Sequence, residues 1–288
     1  MKKINKTSIL SLLLALVLAV GLAGCGGKAE VDESSLPPEP ELDISQLVFM
    51  NPLIPPEGSI LRDDMPNLLP KIKEAYEQND HTVGWLQLPN TTMDEPVVKH
   101  PDDTNNHSAY YLRRGFDRRK NDYGTYYVDY RNNITGTREG LSKNTIIYGH
   151  SFTDNIEGLK MDQMKKLRAS AEFATENPYV YFSLGEENLL WEIFAVFDAT
   201  VALHYNNPSP TDQEFLELIS EATKRSYYTY DVQVSATDKI LTLSTCTYNY
   251  AAYPNDYRYV VMARLVGPDE KVKETAALEE NSDRKLPA

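Results

Sequence analysis

Cysteine is nearly absent: Cys25 and Cys246 are the only two in 288 residues. A disulfide-stapled minidomain and a zinc ribbon are both excluded, because each needs several paired or ligating sulfurs. Positive charge is also short, with 29 basic residues against 42 acidic and a formal charge of −13. A nucleic-acid binder needs a basic face to displace counterions from phosphates, so no nucleic-acid partner is expected. Tryptophan occurs twice while tyrosine reaches 19, a bias towards strands. No internal repeat is visible, and no apolar run attains the ~20 residues of a comfortable membrane span. The remainder is ordinary, 41% hydrophobic and 25% charged, which excludes wholesale disorder.

The longest apolar run, Ile9 to about Leu22, follows Lys2, Lys3 and Lys6 and fits the core of a signal peptide. It ends in Leu22-Ala23-Gly24-Cys25, which resembles a bacterial lipobox. That resemblance implies that Cys25 is lipidated and becomes the mature N-terminus; the alternative is an uncleaved signal anchor. In both cases the expected location is the extracytoplasmic face of the bacterial membrane. Residues 1–25 are therefore read as a lipoprotein-type signal peptide. Residues 26–46 carry Pro37, Pro38, Pro40 and several glutamates, bury too little to offset chain entropy, and are read as an extended linker. Residues 47–267 form the expected domain. Residues 268–288 are charged and aperiodic, and are read as a disordered tail.

Within the domain, helical spacing occurs at Met65, Leu68, Leu69, Ile72, Ala75 and Tyr76, with Pro70 starting or kinking a turn. A second short helix fits Leu159 to Leu167. In a third, Thr211 and Glu214 form a capping box ahead of Phe215, Leu218, Ile219 and Ala222 on one face. Eight strands are expected: Val83–Leu88, Pro96–Lys99, Thr125–Tyr130, Thr145–Tyr148, Tyr179–Leu184, Leu190–Phe197, Ile240–Cys246 and Arg258–Val266. Turn-prone residues separate most of them. The predicted fold is mainly β, a closed eight-stranded barrel with helices inserted between strands.

If Cys25 is lipidated, Cys246 is the lone free thiol. Period-two alternation along Ile240–Cys246 puts Thr242, Ser244 and Cys246 on one face and Leu241 and Leu243 on the other. A nucleophilic thiol needs a partner to hold or remove its proton. Of the five histidines, His150 ends the run Thr145–Gly149 and sits at a strand terminus, beside a glycine that allows close approach. The strand from Arg258 follows the cysteine strand; antiparallel pairing of the two places Arg258 next to Cys246. Arg264 lies six residues further on, about 20 Å away by strand rise, and is read as a surface charge. A guanidinium at Arg258 is suited to holding a carbonyl and its developing oxyanion. One cysteine and one histidine do not complete a zinc site, so no metal is expected.

These residues also carry a resemblance. Thr242-Leu243-Ser244-Thr245-Cys246 followed by Arg258-Tyr259-Val260-Val261 resembles the sortase signature. Asn144–His150, Val83–Pro89, Glu95–Val98 and Asp129-Tyr130-Arg131-Asn132 are similar to class B sortases, as is a helix between the sixth and seventh strands. The resemblance covers about residues 47–267. It implies a sortase-type barrel and a cysteine transpeptidase that works without a cofactor. Cys246 would attack a C-terminal sorting motif of a secreted protein, His150 would protonate the leaving amine, and Arg258 would stabilise the oxyanion. The thioester would pass to an amine of a peptidoglycan precursor or a pilin. Ser244, Thr245, Thr247 and Tyr248 would contact the substrate, with the Thr247 backbone N–H also serving the oxyanion. This sequence departs from the family in its lipobox, in Ser151-Phe152 after the histidine, and in extra loop residues. The loop tyrosines Tyr248, Tyr250 and Tyr253 either line the groove or pack the loop. The competing reading is a lipid-anchored binding module on the same barrel, without transpeptidase activity. The surroundings of Cys246 match neither an L,D-transpeptidase nor a papain-like protease.

Overall fold

Eight strands close into the barrel that the period-two runs predict. They are β1 Thr82–Gln87, β2 Asp94–Val98, β3 Tyr126–Val128, β4 Asn144–Tyr148, β5 Tyr179–Leu184, β6 Leu190–Thr200, β7 Ile240–Cys246 and β8 Tyr257–Leu265. The computed structural model describes residues 65–252 and 255–287, together with the strand Ser59–Ile60. The expected signal segment, Cys25, the linker and the first residues of the expected domain lie outside the described residues. Among the described residues no helix is long and apolar enough to cross a membrane.

Round the barrel the order is β8-β6-β5-β1-β2-β3-β4-β7, closing back on β8. All neighbours are antiparallel except β2 with β3 and β4 with β7. Alternation decides what lies inside. Leu241 and Leu243 of β7 and Tyr259 and Val261 of β8 join Leu86, Phe182 and Trp191 in the main core. The opposite face of the same two strands turns outward, where Ile240, Val260 and Met262 form a second core.

That second core is covered by the helix between the sixth and seventh barrel strands, α4 Asp212–Arg225. Its capping box forms as predicted: the Thr211 hydroxyl accepts the Glu214 N–H, and the Glu214 carboxylate accepts the Thr211 N–H at 2.8 Å. Phe215, Ile219 and Ala222 then pack on Phe194 and Phe197 of β6. The N-terminal helix, α1 Leu69–Gln78, has Pro70 in its first turn, where a missing N–H costs nothing. The predicted second helix is a 3-10 turn, Lys160–Lys165, running into α2 Lys166–Ala169. A further short helix that the spacing does not predict, α3 Ala171–Glu176, follows; Ser170 caps it by accepting the Phe173 N–H.

Residues 268–287 correct the expectation of disorder over 268–288. Val272–Lys273 pairs with Ser59–Ile60, and Leu278–Glu280 pairs with a short strand at Tyr228–Tyr230. Such two- and three-residue strands need only backbone hydrogen bonds, so they leave no hydrophobic period to read. The tail's charges are also engaged: Lys285 bonds Glu221 at 2.7 Å and Arg284 lies 4.1 Å over the Tyr227 ring.

Candidate active site

Strand register sets the site. In the parallel pair β4/β7, Tyr148 is level with Ser244. Continuing that pairing by two residues brings His150 level with Cys246. The pairing does continue, since the Gly149 N–H donates to the Ser244 carbonyl at 3.4 Å and the Thr245 hydroxyl to the Gly149 carbonyl at 2.7 Å. In the antiparallel pair β7/β8, Arg258 is directly opposite Cys246. His150, Cys246 and Arg258 thus form a row at one level of three adjacent strands, with neighbouring strands ~4.8 Å apart. Alternation turns all three outward, because Leu243, Ile147 and Tyr259, next to them in period, turn inward.

The row borders a cleft of about 760 Å³. Besides the three, its wall includes Leu112, Arg113, Tyr127, Tyr148 and Tyr205. Cys246 is half-buried and unpaired. The Arg258 guanidinium donates to the carbonyls of Tyr257 at 2.8 Å and Asn255 at 3.1 Å, and makes no ion pair among the described residues. It is held by two neutral acceptors, so its charge is not cancelled locally.

The His150 ring is fixed from the other side. Its Nε2 lies 2.6 Å from the Leu112 carbonyl, in the 3-10 turn Tyr110–Arg113. A carbonyl only accepts, so Nε2 carries the hydrogen and Nδ1 is the nitrogen free to exchange a proton. Burial pushes the His150 pKa below the ordinary imidazole value; the Leu112 bond opposes this and the nearby Arg113 charge reinforces it. Gly149 lets this strand end lie close to the core. A Cβ there would sit 2.7 Å from Tyr126 Cδ1 and 2.9 Å from Met161 Sδ, both buried. Gly149→Ala is therefore expected to displace His150, lowering activity and costing about 1–3 kcal/mol by overpacking, measured by denaturant melts and turnover.

The four expected contact residues divide. Ser244, Thr245 and Tyr248 line the cleft. The Ser244 hydroxyl bonds the buried Tyr205 hydroxyl at 2.8 Å, and the Tyr248 hydroxyl donates to the Ser151 carbonyl at 2.8 Å. Thr247 is not in the wall: it is fully buried, with its hydroxyl 3.1 Å from Arg168 Nη1. Its backbone N–H points to the Tyr257 carbonyl at 3.4 Å rather than into the cleft. The loop tyrosines also divide, since Tyr250 packs on Tyr257 and bonds Asp198, while Tyr253 is outside the described residues. Arg264 corrects another expectation. It is not a surface charge but pairs with Glu192 at 2.8 Å and with Glu270, its side chain 12% exposed.

Sequence reasoning missed the Leu112 carbonyl, Tyr127 and Tyr205, which reach the cleft from other segments and carry no local signature. Asp129 and Arg131 stand out in the sequence only as part of a motif. Asp129 is buried, pairs with Arg131 at 2.8 Å and accepts the Tyr148 hydroxyl at 3.0 Å, so it braces the cleft wall. No group of three or more side chains suited to a metal occurs among the described residues.

The family model for the sortase domain matches residues 86–266. The chain belongs to the sortase family. The similarity runs to class B. Sortase B of Listeria monocytogenes is 32% identical over 200 residues, covering 68% of this chain and 74% of that protein. A Staphylococcus aureus sortase B–substrate complex superposes with a TM-score of 0.58 at 26% identity, over 69% of this chain and 86% of that one. Sortase B complexed with triglycine gives 0.59 at 26% identity, over 70% and 88%. As a sortase, the chain is a cysteine transpeptidase, and the barrel with its inserted α4 is the sortase B barrel.

Proposed function

We propose that this sortase acts at the extracytoplasmic face of the membrane, held there by its N-terminal segment, and joins secreted proteins to an amine. Cys246 is the nucleophile, His150 the proton carrier and Arg258 the oxyanion ligand. The thiolate attacks the scissile carbonyl of a C-terminal sorting motif. The oxyanion that forms is met by Arg258, whose guanidinium is oriented in advance by two carbonyls. The amine leaves with a proton from His150, and a thioester remains on Cys246. An acceptor amine, on a peptidoglycan precursor or a pilin, then attacks the thioester, gives a proton to His150 and releases the thiolate. The reading rests chiefly on the row His150–Cys246–Arg258, in which Cys246 and Arg258 are register partners on β7 and β8 and His150 lies just past the end of β4, all three opening on one cleft. The related sortase B structures with a substrate and with triglycine fit a peptide donor and an amine acceptor.

A panel of quenched sorting peptides with triglycine as acceptor tests it. Cleavage of one peptide with transfer to the amine is the expected result. An unreactive thiol and no transfer with any peptide would favour the lipid-anchored binding module instead.

The pH profile carries a further expectation. Turnover needs one proton shared between Cys246 and His150, so kcat/KM against pH is bell-shaped. Burial lowers the His150 pKa, so the acidic limb falls below pH ~6.5, the ordinary imidazole value. Arg113 disfavours the imidazolium, so Arg113→Gln raises that pKa and moves the acidic limb to higher pH. A limb that stays in place or moves down contradicts the assignment of that limb to His150.

A further inference from the structure

The chain leaving His150 and the chain leaving Cys246 are tied to each other by the Tyr248 hydroxyl, which bonds the Ser151 carbonyl, and by one carboxylate. Asp154 lies four residues past His150, and its two oxygens are used differently. Oδ1 is held by two cations, Lys165 Nζ at 2.7 Å and Arg168 Nη2 at 3.0 Å. Oδ2 accepts the backbone N–H of Tyr248 at 2.8 Å, two residues past Cys246. The Thr247 hydroxyl approaches Asp154 Oδ1 at 3.2 Å, so both residues after the cysteine contact this side chain.

The cations are themselves fixed. Lys165 is fully buried and also bonds the Ser151 hydroxyl and the Thr153 carbonyl, both on the His150 segment. Arg168 pairs with the buried Asp198 of β6 at 3.1 Å and lies 4.9 Å over the ring of Tyr259. Its guanidinium therefore spans from the barrel strands to the two loops. Burial opposes ionisation of Asp154, but its hydrogen bond and charge contact with Lys165, the Tyr248 N–H and Arg168 more than offset this, and the carboxyl is held below its ordinary range.

We infer that Asp154, clamped by Lys165 and Arg168, is a positioning residue that sets the His150–Cys246 spacing. The inference rests on the catalytic roles proposed above for those two residues. Without the Asp154 bridge the two strand ends are still paired as far as Gly149 and Thr245, and the Tyr248 hydroxyl still reaches the Ser151 carbonyl, but the Tyr248 N–H and the Thr247 hydroxyl lose the carboxylate that holds this backbone to the His150 segment. A misplacement of about 1 Å between reacting groups can cost roughly 10²-fold in rate. Asp154 is not in the cleft wall, so its removal takes no side chain from the surface that faces a substrate, and binding is expected to change less than kcat.

The test compares wild type, Asp154→Ala, Arg168→Met and Arg168→Lys as full chains in detergent, below their melting points. With the peptide found for the wild type, Asp154→Ala is expected to lower kcat by roughly 10–100-fold with KM within about threefold. Arg168→Met is expected to behave in the same way, and Arg168→Lys to recover part of the loss. Unchanged kcat with a lowered melting temperature, or a rise in KM alone, overturns the inference.

A second readout needs no substrate and serves if Asp154→Ala does not fold, through the Arg168 pair. The rate of Cys246 alkylation by iodoacetamide is followed against pH. In the wild type the profile is expected to carry a step from His150 that His150→Ala removes; the inference requires that step to be present, to be lost or shifted in Asp154→Ala and Arg168→Met, and to be partly restored in Arg168→Lys. A profile identical to wild type overturns the inference. Coupling seen by alkylation in a wild type that transfers no peptide would overturn the proposed function and leave the positioning role supported.

Discussion

Replacing Arg258 with alanine is expected to lower the rate of thioester formation by roughly 10²–10³-fold, the effect of removing one oriented oxyanion donor. Two features make the loss large. Arg258 is directly opposite Cys246 in the β7/β8 register, and both line the same cleft. It is also free of any carboxylate among the described residues, held only by the Asn255 and Tyr257 carbonyls. Its full positive charge is thus available when an oxyanion develops. Lysine is expected to recover little, because a point charge on a flexible stem does not reproduce a planar group already anchored by two bonds. Stability is expected to change little, since Arg258 is half-buried and its removal breaks no ion pair among the described residues. Stopped-flow acylation and a thermal melt of Arg258→Ala and Arg258→Lys check both parts. Acylation within tenfold of wild type in a folded Arg258→Ala variant would remove Arg258 from the mechanism.

The largest stability effect is expected at Lys165. Its ammonium is fully buried between Asp154 at 2.7 Å and Asp162 at 3.3 Å, and Asp162 is itself buried. Substituting methionine keeps the bulk of the stem but leaves those carboxylates facing each other. Breaking a buried pair by removing one partner costs about 3–5 kcal/mol. For a domain of this size each kcal/mol is worth about 2–4 °C, so Lys165→Met should melt roughly 6–20 °C lower. The pH dependence has a definite sign. The folded-state pKa of Asp154 is depressed, so its stabilisation is fully present above the unfolded carboxyl value of about 4. It is lost as pH falls through the folded-state value. The difference between wild type and Lys165→Met should therefore be largest near neutrality and shrink in acid. A loss of less than about 1 kcal/mol at pH 7 would mean that the network contributes little to the fold.

The row of three residues was legible because it follows from rules that act over a few residues. Alternation gave the faces of Ile240–Cys246, and antiparallel pairing of consecutive strands put Arg258 rather than Arg264 at the thiol. The capping box of α4 and the limits of Tyr179–Leu184 and Ile240–Cys246 are local for the same reason. What failed depends on partners far along the chain. Arg264 looks exposed until Glu192 of β6 and Glu270 are brought to it, and Glu270 lies in the tail expected to be disordered. Thr247 follows the cysteine, yet Arg168 and Asp154 draw its hydroxyl away from the cleft. Lys165 and Arg168 sit among other charges on a short helical stretch, and nothing in their spacing marks them as buried. The cleft wall from Leu112, Tyr127 and Tyr205 is assembled only by closure of the barrel and its loops.

The central claim, that Cys246 carries the acyl group, is tested most directly by intact mass. The wild-type chain is mixed with the sorting peptide that it cleaves, quenched in acid and weighed, with Cys246→Ala alongside. The predicted result is a mass increase equal to the peptide's N-terminal fragment as a thioester, mapped to Cys246, discharged by triglycine and absent from Cys246→Ala. Cleavage by Cys246→Ala at the wild-type rate, or cleavage by the wild type with the thiol still free throughout turnover, would contradict it.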